Sequence, residues 1–166
     1  MVLPHGSTLA RRARVYVITV SDSRTADTDR SGQLIKTLLR EANHRLEGYQ
    51  ILQDEPSAIQ QLLYQLSGTA AEAIILNGGT GIAPRDTTYD AIAALLTKTL
   101  PGFGELFRQL SYEEIGPRAI ASRAVAGVLN SQLVFSLPGS TKAVKLGMEA
   151  LILPELGHLV SLLAGP

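Results

Sequence analysis

The sequence predicts a doubly wound α/β fold, in which helices cover both faces of a mostly parallel β-sheet. Short apolar runs of strand length alternate along the chain with amphipathic segments of helix length, which is typical of this fold class. The chain has 166 residues, 45% of them hydrophobic, and is therefore long enough to form one domain with a buried core. Polar or glycine-rich loops follow four of the predicted strands, and in such folds ligands bind where these loops leave the sheet.

The first predicted elements are a strand and a helix. Residues 15–20 are mostly apolar, with β-branched and aromatic side chains, which indicates a central strand covered on both faces. The polar residues 21–29 would form a loop. Apolar residues then recur at helical spacing from Leu34 to Ala42, and Asp29 or Ser31 could provide the N-cap.

Two strands and a second helix are predicted next. A strand is expected at about residues 46–52, and residues 54–56 (Asp-Glu-Pro) would cap and begin a helix. The apolar face of that helix comprises Ile59, Leu62, Leu63 and Leu66. A short, fully apolar strand at residues 73–76 then leads into a glycine-rich segment.

The middle of the chain is predicted to contain two more helices. Thr87 and Asp90 have the spacing of a capping box for a helix that runs to about Leu96. Residues 101–104 (Pro-Gly-Phe-Gly) would break the chain before a helix at about residues 105–114.

The last third of the chain ends in a helical region. Residues 117–126 are ambiguous between a short helix and a loop, and two strand pieces follow around a turn at Asn130-Ser131. The final helical region begins after residues 138–140 and is punctuated by Pro154 and Gly157.

Charge and composition exclude several classes of function. Fifteen basic and fifteen acidic residues give zero net charge, so no global field attracts nucleic acid or an anionic membrane. Cysteine is absent, which excludes disulfides, thiolate metal sites and a cysteine nucleophile. No apolar run approaches the 18 residues of a membrane span, and the N-terminus has no apolar signal region. We expect a cytoplasmic protein with a flexible tail at residues 1–12 and a single domain at residues 13–166.

The most informative segment is the glycine-rich stretch at residues 77–86, NGGTGIAPRD. Three glycines in four positions let backbone N–H groups approach a phosphate closely and adopt positive φ at little cost. Arg85 adds a cation for phosphate, and Asp86 adds a carboxylate that could hold Mg²⁺. The segment is neither a Walker A loop nor a G-x-G-x-x-G dinucleotide motif. It is therefore a candidate anion-binding loop.

Each candidate residue also has an ordinary structural explanation. Gly78–Gly81 could form a tight turn between a strand and a helix, and Arg85 with Asp86 could form a surface ion pair. Asp54 and Ser140 could be helix caps. Other polar residues could be ligands or simply solvated surface groups: Asp22, Asp27, Asp29, Arg118 and Arg123.

Several motifs follow one another in a fixed order along the chain. They are Thr19-Val20-Ser21-Asp22-Ser23, Asp29-Arg30-Ser31-Gly32, Gly78-Gly79-Thr80-Gly81 with Arg85-Asp86, Pro101-Gly102-Phe103, Ser122-Arg123 and Leu137-Pro138-Gly139-Ser140. This ordered set resembles the MoaB/MogA family, the molybdopterin-binding domain of molybdenum cofactor biosynthesis. The resemblance covers nearly the whole chain after the N-terminal tail. One departure is Thr87, where the family more often has valine.

The resemblance implies a three-layer α/β/α domain that assembles as a trimer or a hexamer. Active members of the family are molybdopterin adenylyltransferases, which join AMP from ATP to the terminal phosphate of molybdopterin and release pyrophosphate. Other MoaB-type members lack this activity, so a non-catalytic molybdopterin-binding or accessory role is the alternative. The low charged fraction, 18%, independently favours either a homo-oligomer or a well-filled core.

The resemblance also implies roles for individual residues. Asp54 and Asp86 would be the catalytic carboxylates and would hold Mg²⁺. The nucleotide phosphates would be bound by Gly78, Gly79, Thr80, Gly81 and Arg85. The molybdopterin would be bound by Ser21, Asp22, Ser122, Arg123, Ser131, Pro138, Gly139 and Ser140.

Overall fold

The computed structural model describes residues 11–165. The strands, in chain order, are β1 (Arg14–Val20), β2 (Arg45–Leu52), β3 (Ala73–Asn77), β4 (Lys98–Thr99), β5 (Val125–Leu129) and β6 (Gln132–Leu137). The helices are α1 (Arg30–Glu41), α2 (Pro56–Leu66), α3 (Thr88–Ala93), α4 (Pro101–Ile115), α5 (Thr141–Gly147) and α6 (Leu153–Ala164). A 3-10 turn covers Gly116–Ala121, and a π-helical turn at Met148–Ile152 joins α5 to α6.

The sheet has the strand order β2-β1-β3-β6-β5-β4. The pairs β2–β1, β1–β3 and β3–β6 are parallel, whereas β5 runs antiparallel to both β4 and β6. Helices α2 and α3 cover one face, and α1, α4, α5 and α6 cover the other. The predicted fold class is therefore confirmed as a three-layer α/β/α sandwich with a mostly parallel sheet.

Strand β1 shows why the central strands are almost entirely apolar. Its side chains alternate between two core clusters: Val15 and Val17 belong to one, and Ile18 and Val20 belong to the other. A strand buried on both faces has no solvent-facing positions for polar residues. The sheet order reverses at β1, because β2 lies on one side of it and β3 on the other. Loops that diverge at such a reversal leave a crevice at the carboxyl edge of the sheet.

Some predicted boundaries in the middle of the chain are wrong. Helix α4 begins at Pro101, because proline suits the first helical position, where its missing N–H would be unpaired in any case. Helix α3 ends at Ala93, since the chain turns there towards the short strand β4. The capping box is also absent: the Thr87 side chain makes no cap hydrogen bond, and Asp90 pairs with an arginine instead.

The last third of the chain combines confirmed and corrected predictions. The ambiguous segment 117–126 contains both the 3-10 turn and the start of β5. Asn130 and Ser131 have φ of 47° and 65° and form the predicted turn, since two-residue hairpin turns need positive φ. Pro154 and Gly157 do not interrupt the final helix. Pro154 is tolerated because it follows the π-helical turn, where the α-helical hydrogen-bond ladder is already broken.

The two ends of the chain bear on the predicted N-terminal tail and on whether a segment could span a membrane. The predicted tail at residues 1–12 lies outside the described residues except for its last two, of which Arg11 pairs with Glu72. Within the described part, Thr141–Ala164 is one helical segment whose length and mean hydropathy of 1.4 would allow it to cross a membrane. The core helix of a water-soluble domain passes the same test, and Val144 and Met148 from this segment are fully buried in the core.

Candidate functional site

The loops that follow β1, β2, β3 and β6 converge at the carboxyl edge of the sheet, as predicted. The backbone N–H of Asp54, after β2, donates to the Asp22 carboxylate, after β1, at 3.1 Å. The N–H of Gly78, after β3, donates to the carbonyl of Leu137, at the end of β6, at 3.0 Å. The first bond joins two loops from the first half of the chain, and the second joins segments from opposite halves.

An open cleft of about 340 Å³ lies in this crevice against the glycine loop. The predicted residues that line it are Gly78, Gly79, Thr80, Gly81, Asp86, Ser122, Pro138, Gly139 and Ser140. It has further lining residues that the sequence did not assign to a site: Phe107, Ser111, Ile115, Ala121 and Ala143. Arg118, which the sequence left as either a phosphate ligand or a surface residue, also lines the cleft.

A larger cavity, of about 510 Å³, lies between α4 and α5. Its charged lining is mixed: Glu114, Lys142, Lys145 and Glu149. Neither the glycine loop nor a predicted catalytic carboxylate contributes to it. The smaller cleft is therefore the candidate site, because the glycine loop, which is the predicted phosphate-binding segment, and Asp86 both line it.

Gly79 occupies a position that only glycine can fill without strain. Its φ is +66°, and a Cβ atom there would overlap the Thr88 hydroxyl and the Asp54 carboxylate. Gly139 is similarly tight, because its Cβ would lie 3.1 Å from the Cα of Gly78. The glycine loop and the turn after β6 therefore pack backbone against backbone.

Asp54 lies beneath the glycine loop and is only 5% exposed. Its Oδ1 accepts hydrogen bonds from the Thr87 hydroxyl at 2.7 Å, the Thr88 hydroxyl at 3.2 Å and the Thr87 N–H at 3.2 Å. The carboxylate therefore caps the start of α3 from a different loop, rather than its own helix α2. The shortest of these bonds comes from Thr87, the position at which the sequence departs from the MoaB/MogA pattern.

Asp86 has the more accessible carboxylate. Its Oδ2 accepts one hydrogen bond, from the Ala83 N–H at 3.2 Å, and its Oδ1 accepts none from the described residues. The described residues contain no group of three or more His, Cys, Asp or Glu that could hold a metal ion. Mg²⁺ is commonly held by one or two carboxylates together with substrate phosphates, and the oxygen donors present here fit that requirement.

Three comparisons with known proteins agree with this geometry. The family model of a probable molybdopterin binding domain matches residues 16–158. This chain belongs to the MoaB/MogA family. Molybdenum cofactor biosynthesis protein B of Halalkalibacterium halodurans is 52% identical over 158 residues, which cover 94% of this chain and 93% of that protein.

Solved structures support the same membership. A crystal structure of a molybdenum cofactor biosynthesis protein B superimposes with a TM-score of 0.92 at 46% identity, covering 95% of this chain and 99% of that one. The tungsten cofactor synthesizing protein MoaB from Pyrococcus furiosus gives a TM-score of 0.82 at 37% identity, covering 90% and 96%. The resemblance stated from the motifs is thereby confirmed.

Arg85 is not free in this MoaB/MogA domain, and it does not pair with Asp86. Its Nε and Nη2 donate to both oxygens of Asp22, at 2.8 and 3.1 Å, and its Nη1 donates to Glu55 at 2.7 Å. The Arg85 hydrogen bonds lower the pKa of Asp22, and the two carboxylates raise the pKa of Arg85. Neither Arg85 nor Asp22 lines the cleft, so their predicted ligand roles are not supported by their positions.

Arg123 also lies away from the cleft lining. Its guanidinium donates to both oxygens of Asp90, at 3.1 Å in one of the two bonds, and lies 4.1 Å from the centre of the Tyr89 ring. The hydrogen bonds from Arg123 lower the pKa of Asp90. Arg118 rather than Arg123 is the arginine that faces the cleft in this family member.

Two predicted serine ligands are placed elsewhere. The Ser21 hydroxyl accepts hydrogen bonds from the N–H groups of Ser23 and Arg24, and so shapes the loop after β1. Ser131 lies in the turn before β6, which runs parallel to β3, whereas the glycine loop follows the far end of β3. Ser131 is therefore at the opposite edge of the sheet and cannot reach the cleft of its own chain.

A buried polar network centred on Asp29 is connected to the turn after β6. The fully buried Asp29 accepts from the Tyr49 hydroxyl at 2.6 Å and from the Gly32 N–H at 2.9 Å, which confirms Asp29 as the N-cap of α1. Arg24 lies 3.5 Å from the Asp29 carboxylate and donates to the Gly139 carbonyl at 3.0 Å. The sequence offered Asp29 or Ser31 as the cap but did not predict the Tyr49 partner, which is 20 residues away.

Tyr49→Phe is expected to reduce stability in a pH-dependent way. Burial raises the pKa of Asp29, but hydrogen bonds from Thr19, Tyr49 and Gly32 outweigh it and leave that pKa below its ordinary value of 3.8. A lowered folded-state pKa gives stability that is present above the ordinary pKa and is lost as the pH falls below it. We expect Tyr49→Phe to lower the free energy of unfolding by about 1.5–3 kcal/mol at pH 7.

The measurement is urea denaturation of both proteins from pH 7 to pH 3. The difference between them should narrow below about pH 4, as Asp29 becomes protonated. A difference that stays constant over this range would show that lost packing, and not the charged hydrogen bond, causes the destabilisation.

Proposed function

We propose that this chain acts in molybdenum cofactor biosynthesis as a molybdopterin adenylyltransferase, transferring AMP from ATP to the terminal phosphate of molybdopterin with release of pyrophosphate. Family membership and the names of the relatives support a role in this pathway. The observation that carries the reaction is the cleft itself. It brings the glycine loop, the open carboxylate of Asp86 and the Pro138–Ser140 turn to one cavity.

The reaction joins two phosphates. A terminal phosphate oxygen of molybdopterin attacks the α-phosphorus of ATP, and the bond from that phosphorus to the pyrophosphate oxygen breaks. The second pKa of a phosphate monoester is about 6, so the attacking group is already an anion and needs no strong general base. The main obstacle is to hold two polyanions in line, which positioning and fixed donors overcome.

The chain offers donors and a metal ligand for this task. The Gly78 N–H already donates to the Leu137 carbonyl. The backbone N–H groups of Gly79, Thr80 and Gly81 would bind nucleotide phosphates, because these residues line the cleft and two of them have no side chain. Asp86 would hold Mg²⁺, which neutralises phosphate charge when bound. Asp54 would act mainly by fixing the loop, since both of its oxygens already accept hydrogen bonds.

The far side of the cleft suits the pterin and its phosphate. The Ser122 Oγ is buried and has no hydrogen-bond partner among the described residues, so it can bind a ligand. Arg118 supplies a cation at the same cleft. The Ser140 side chain accepts from the Ala143 N–H at 3.2 Å as the N-cap of α5, and the residue also lines the cleft.

Ser140→Ala is expected to weaken molybdopterin binding while leaving ATP binding unchanged. The variant loses both a ligand hydroxyl and a helix cap, and the cap alone accounts for about 1 kcal/mol of stability. Fluorescence titration with molybdopterin measures the affinity, and thermal unfolding measures the loss of the cap separately. Unchanged pterin affinity in a destabilised variant would leave Ser140 as a cap only.

The test of the proposed function is Mg²⁺-dependent transfer of AMP from α-labelled ATP to molybdopterin. Transfer by the wild type, lost in Asp54→Ala and in Asp86→Asn, is the expected result. Asp54→Ala should also lower stability, because it leaves the Thr87 and Thr88 donors without their acceptor. No transfer by a folded, pterin-binding wild type would instead make this chain a non-catalytic molybdopterin-binding or accessory protein.

We also propose that the chain forms a homo-oligomer, either a trimer or a hexamer. Large apolar side chains are exposed on α4 and the following 3-10 turn, and such a surface supports contact with another subunit. They are Leu106, Tyr112, Ile115 and Ile120, the last of which is 90% exposed. Sedimentation velocity would give the number of subunits. A cytoplasmic location stays a prediction, as does the absence of nucleic-acid and membrane partners.

A further inference from the structure

Arg85 connects three of the four loops at the carboxyl edge of the sheet. It lies on the loop after β3 and forms a bidentate ion pair with Asp22 on the loop after β1. It also donates a third hydrogen bond to Glu55 on the loop after β2. Asp22 also accepts from the Asp54 N–H, so the three loops form one connected cluster. We call Asp22, Arg85 and Glu55 the ionic clamp.

Asp86 is held on both sides along the chain. The preceding residue, Arg85, is tied to the ionic clamp. The following residue, Thr87, donates its N–H and its hydroxyl to Asp54. The Asp86 side chain itself accepts a hydrogen bond from the Ala83 N–H and lies against Gly81.

The charge of the ionic clamp argues against direct phosphate binding by Arg85. One guanidinium is matched by two carboxylates, so the cluster carries a net charge of about −1 and disfavours a nearby polyphosphate. Nε, Nη1 and Nη2 of Arg85 each already donate to a carboxylate. Three of the five guanidinium N–H donors are therefore occupied, and only the two that remain could bind a phosphate without displacing a carboxylate.

We propose that Arg85 is a positioning residue, and that the ionic clamp fixes the loop so that Asp86 is presented to the cleft. This inference rests on the proposed adenylyltransferase function. Because all three clamp side chains are partly exposed, their ion pairs are screened by salt, and the positioning weakens as ionic strength rises.

The decisive experiment compares two ways of breaking the clamp. Arg85→Gln removes the cation, and the double variant Asp22→Asn/Glu55→Gln removes both anions but leaves Arg85 free. If the clamp positions Asp86, both should lower kcat for AMP transfer about ten- to a hundredfold, since small misplacements of catalytic groups have effects of this size. The dissociation constant for ATP should change less than about threefold in both, because neither removes a ligand.

Direct phosphate binding by Arg85 predicts a different pattern. Arg85→Gln would then lose ATP affinity, while the double variant, with its arginine released, would keep kcat and bind ATP equally well or more tightly. That result would overturn the proposal. Arg85→Lys should have a kcat between those of Arg85→Gln and the wild type, because an ammonium cannot form the bidentate pair with Asp22.

Arg45→Gln is the matched control. It breaks another arginine–carboxylate pair, that of the exposed Arg45 with the partly buried Glu47 on β2, and Arg45 lies at the opposite edge of the sheet from the cleft. It should leave kcat and its dependence on salt unchanged. In the wild type, kcat should fall as NaCl rises from about 0.05 to 0.5 M, and this dependence should be flatter in Arg85→Gln.

A measurement that does not depend on AMP transfer can test the ionic clamp even if the proposed function is wrong. Hydrogen–deuterium exchange reports on the amides of Asp86 and Thr88, which bond to the carbonyls of Ala83 and Gly79. Both clamp variants should raise exchange there, and Arg45→Gln should not. Unchanged exchange would contradict the clamp even if the wild type transferred no AMP.

Discussion

Asp86→Asn is expected to abolish AMP transfer while molybdopterin binding stays within a few-fold of the wild type. Asparagine keeps the size of the side chain and can still accept the Ala83 N–H bond, so the loop should keep its shape. What it loses is the negative charge that would hold Mg²⁺ beside the reacting phosphates. Removal of one preorganised electrostatic group at a reacting centre typically lowers the rate about 10²–10³-fold, and we expect a loss at least that large.

The measurement is single-turnover transfer from α-labelled ATP, with molybdopterin affinity measured in parallel. Asp27→Asn serves as the control, because Asp27 is an exposed carboxylate of the loop after β1 that does not line the cleft. Near wild-type turnover by Asp86→Asn would remove Asp86 from the mechanism. Loss of transfer together with loss of pterin binding would make Asp86 a pterin ligand rather than a metal ligand.

The fold could be predicted because each of its central strands is marked by a continuous stretch of neighbouring residues in the sequence. The apolar runs in β1 and β3 are buried on both faces, so nearly every position there carries an apolar residue and Thr19 is the polar exception within the two runs. The glycine loop could be predicted for a similar reason. Its positive φ values and close backbone contacts demand glycine, so Gly78 and Gly79 stand out in the sequence.

The partners of the charged residues could not be predicted in the same way. Arg85 pairs with Asp22, which is 63 positions away, although Asp86 is its neighbour in sequence. A long, flexible guanidinium side chain can reach any carboxylate within several ångströms, and only the assembled loops decide which one that is. The same applies to Asp54, which caps a helix that begins 34 positions later.

The prediction that Ser131 binds molybdopterin fails for a different reason, because the sequence itself shows that Ser131 lies at the wrong end of a strand. The Asn130-Ser131 turn was recognised, and a hairpin turn places its residues at the start of the next strand. The Pro138–Ser140 turn follows the end of that strand. Six strand residues separate the two turns, so they lie on the order of 20 Å apart and cannot share a cleft within one chain.

Gly79→Ala is the second substitution with a large expected effect. Gly79 has φ of +66°, which is unfavourable for alanine by about 1–2 kcal/mol. The new Cβ would also overlap the Thr88 hydroxyl and the Asp54 carboxylate, so Asp54 must move. Since Asp54 holds the N–H and hydroxyl of Thr87, its displacement shifts Asp86 as well. We expect AMP transfer to fall at least about a hundredfold, because both the phosphate loop and the carboxylate are misplaced.

Gly102→Ala provides the matched control for that substitution. Gly102 lies in the first turn of α4, and a Cβ there would meet nothing within 4 Å. Alanine at this position should raise the free energy of unfolding by about 0.5–1 kcal/mol and leave transfer unchanged. Denaturation and transfer measured on both variants separate the two causes. If Gly79→Ala lost stability but kept its turnover, the loop would have relaxed around the new methyl group, and its backbone could not be the preorganised phosphate site that the proposed function requires.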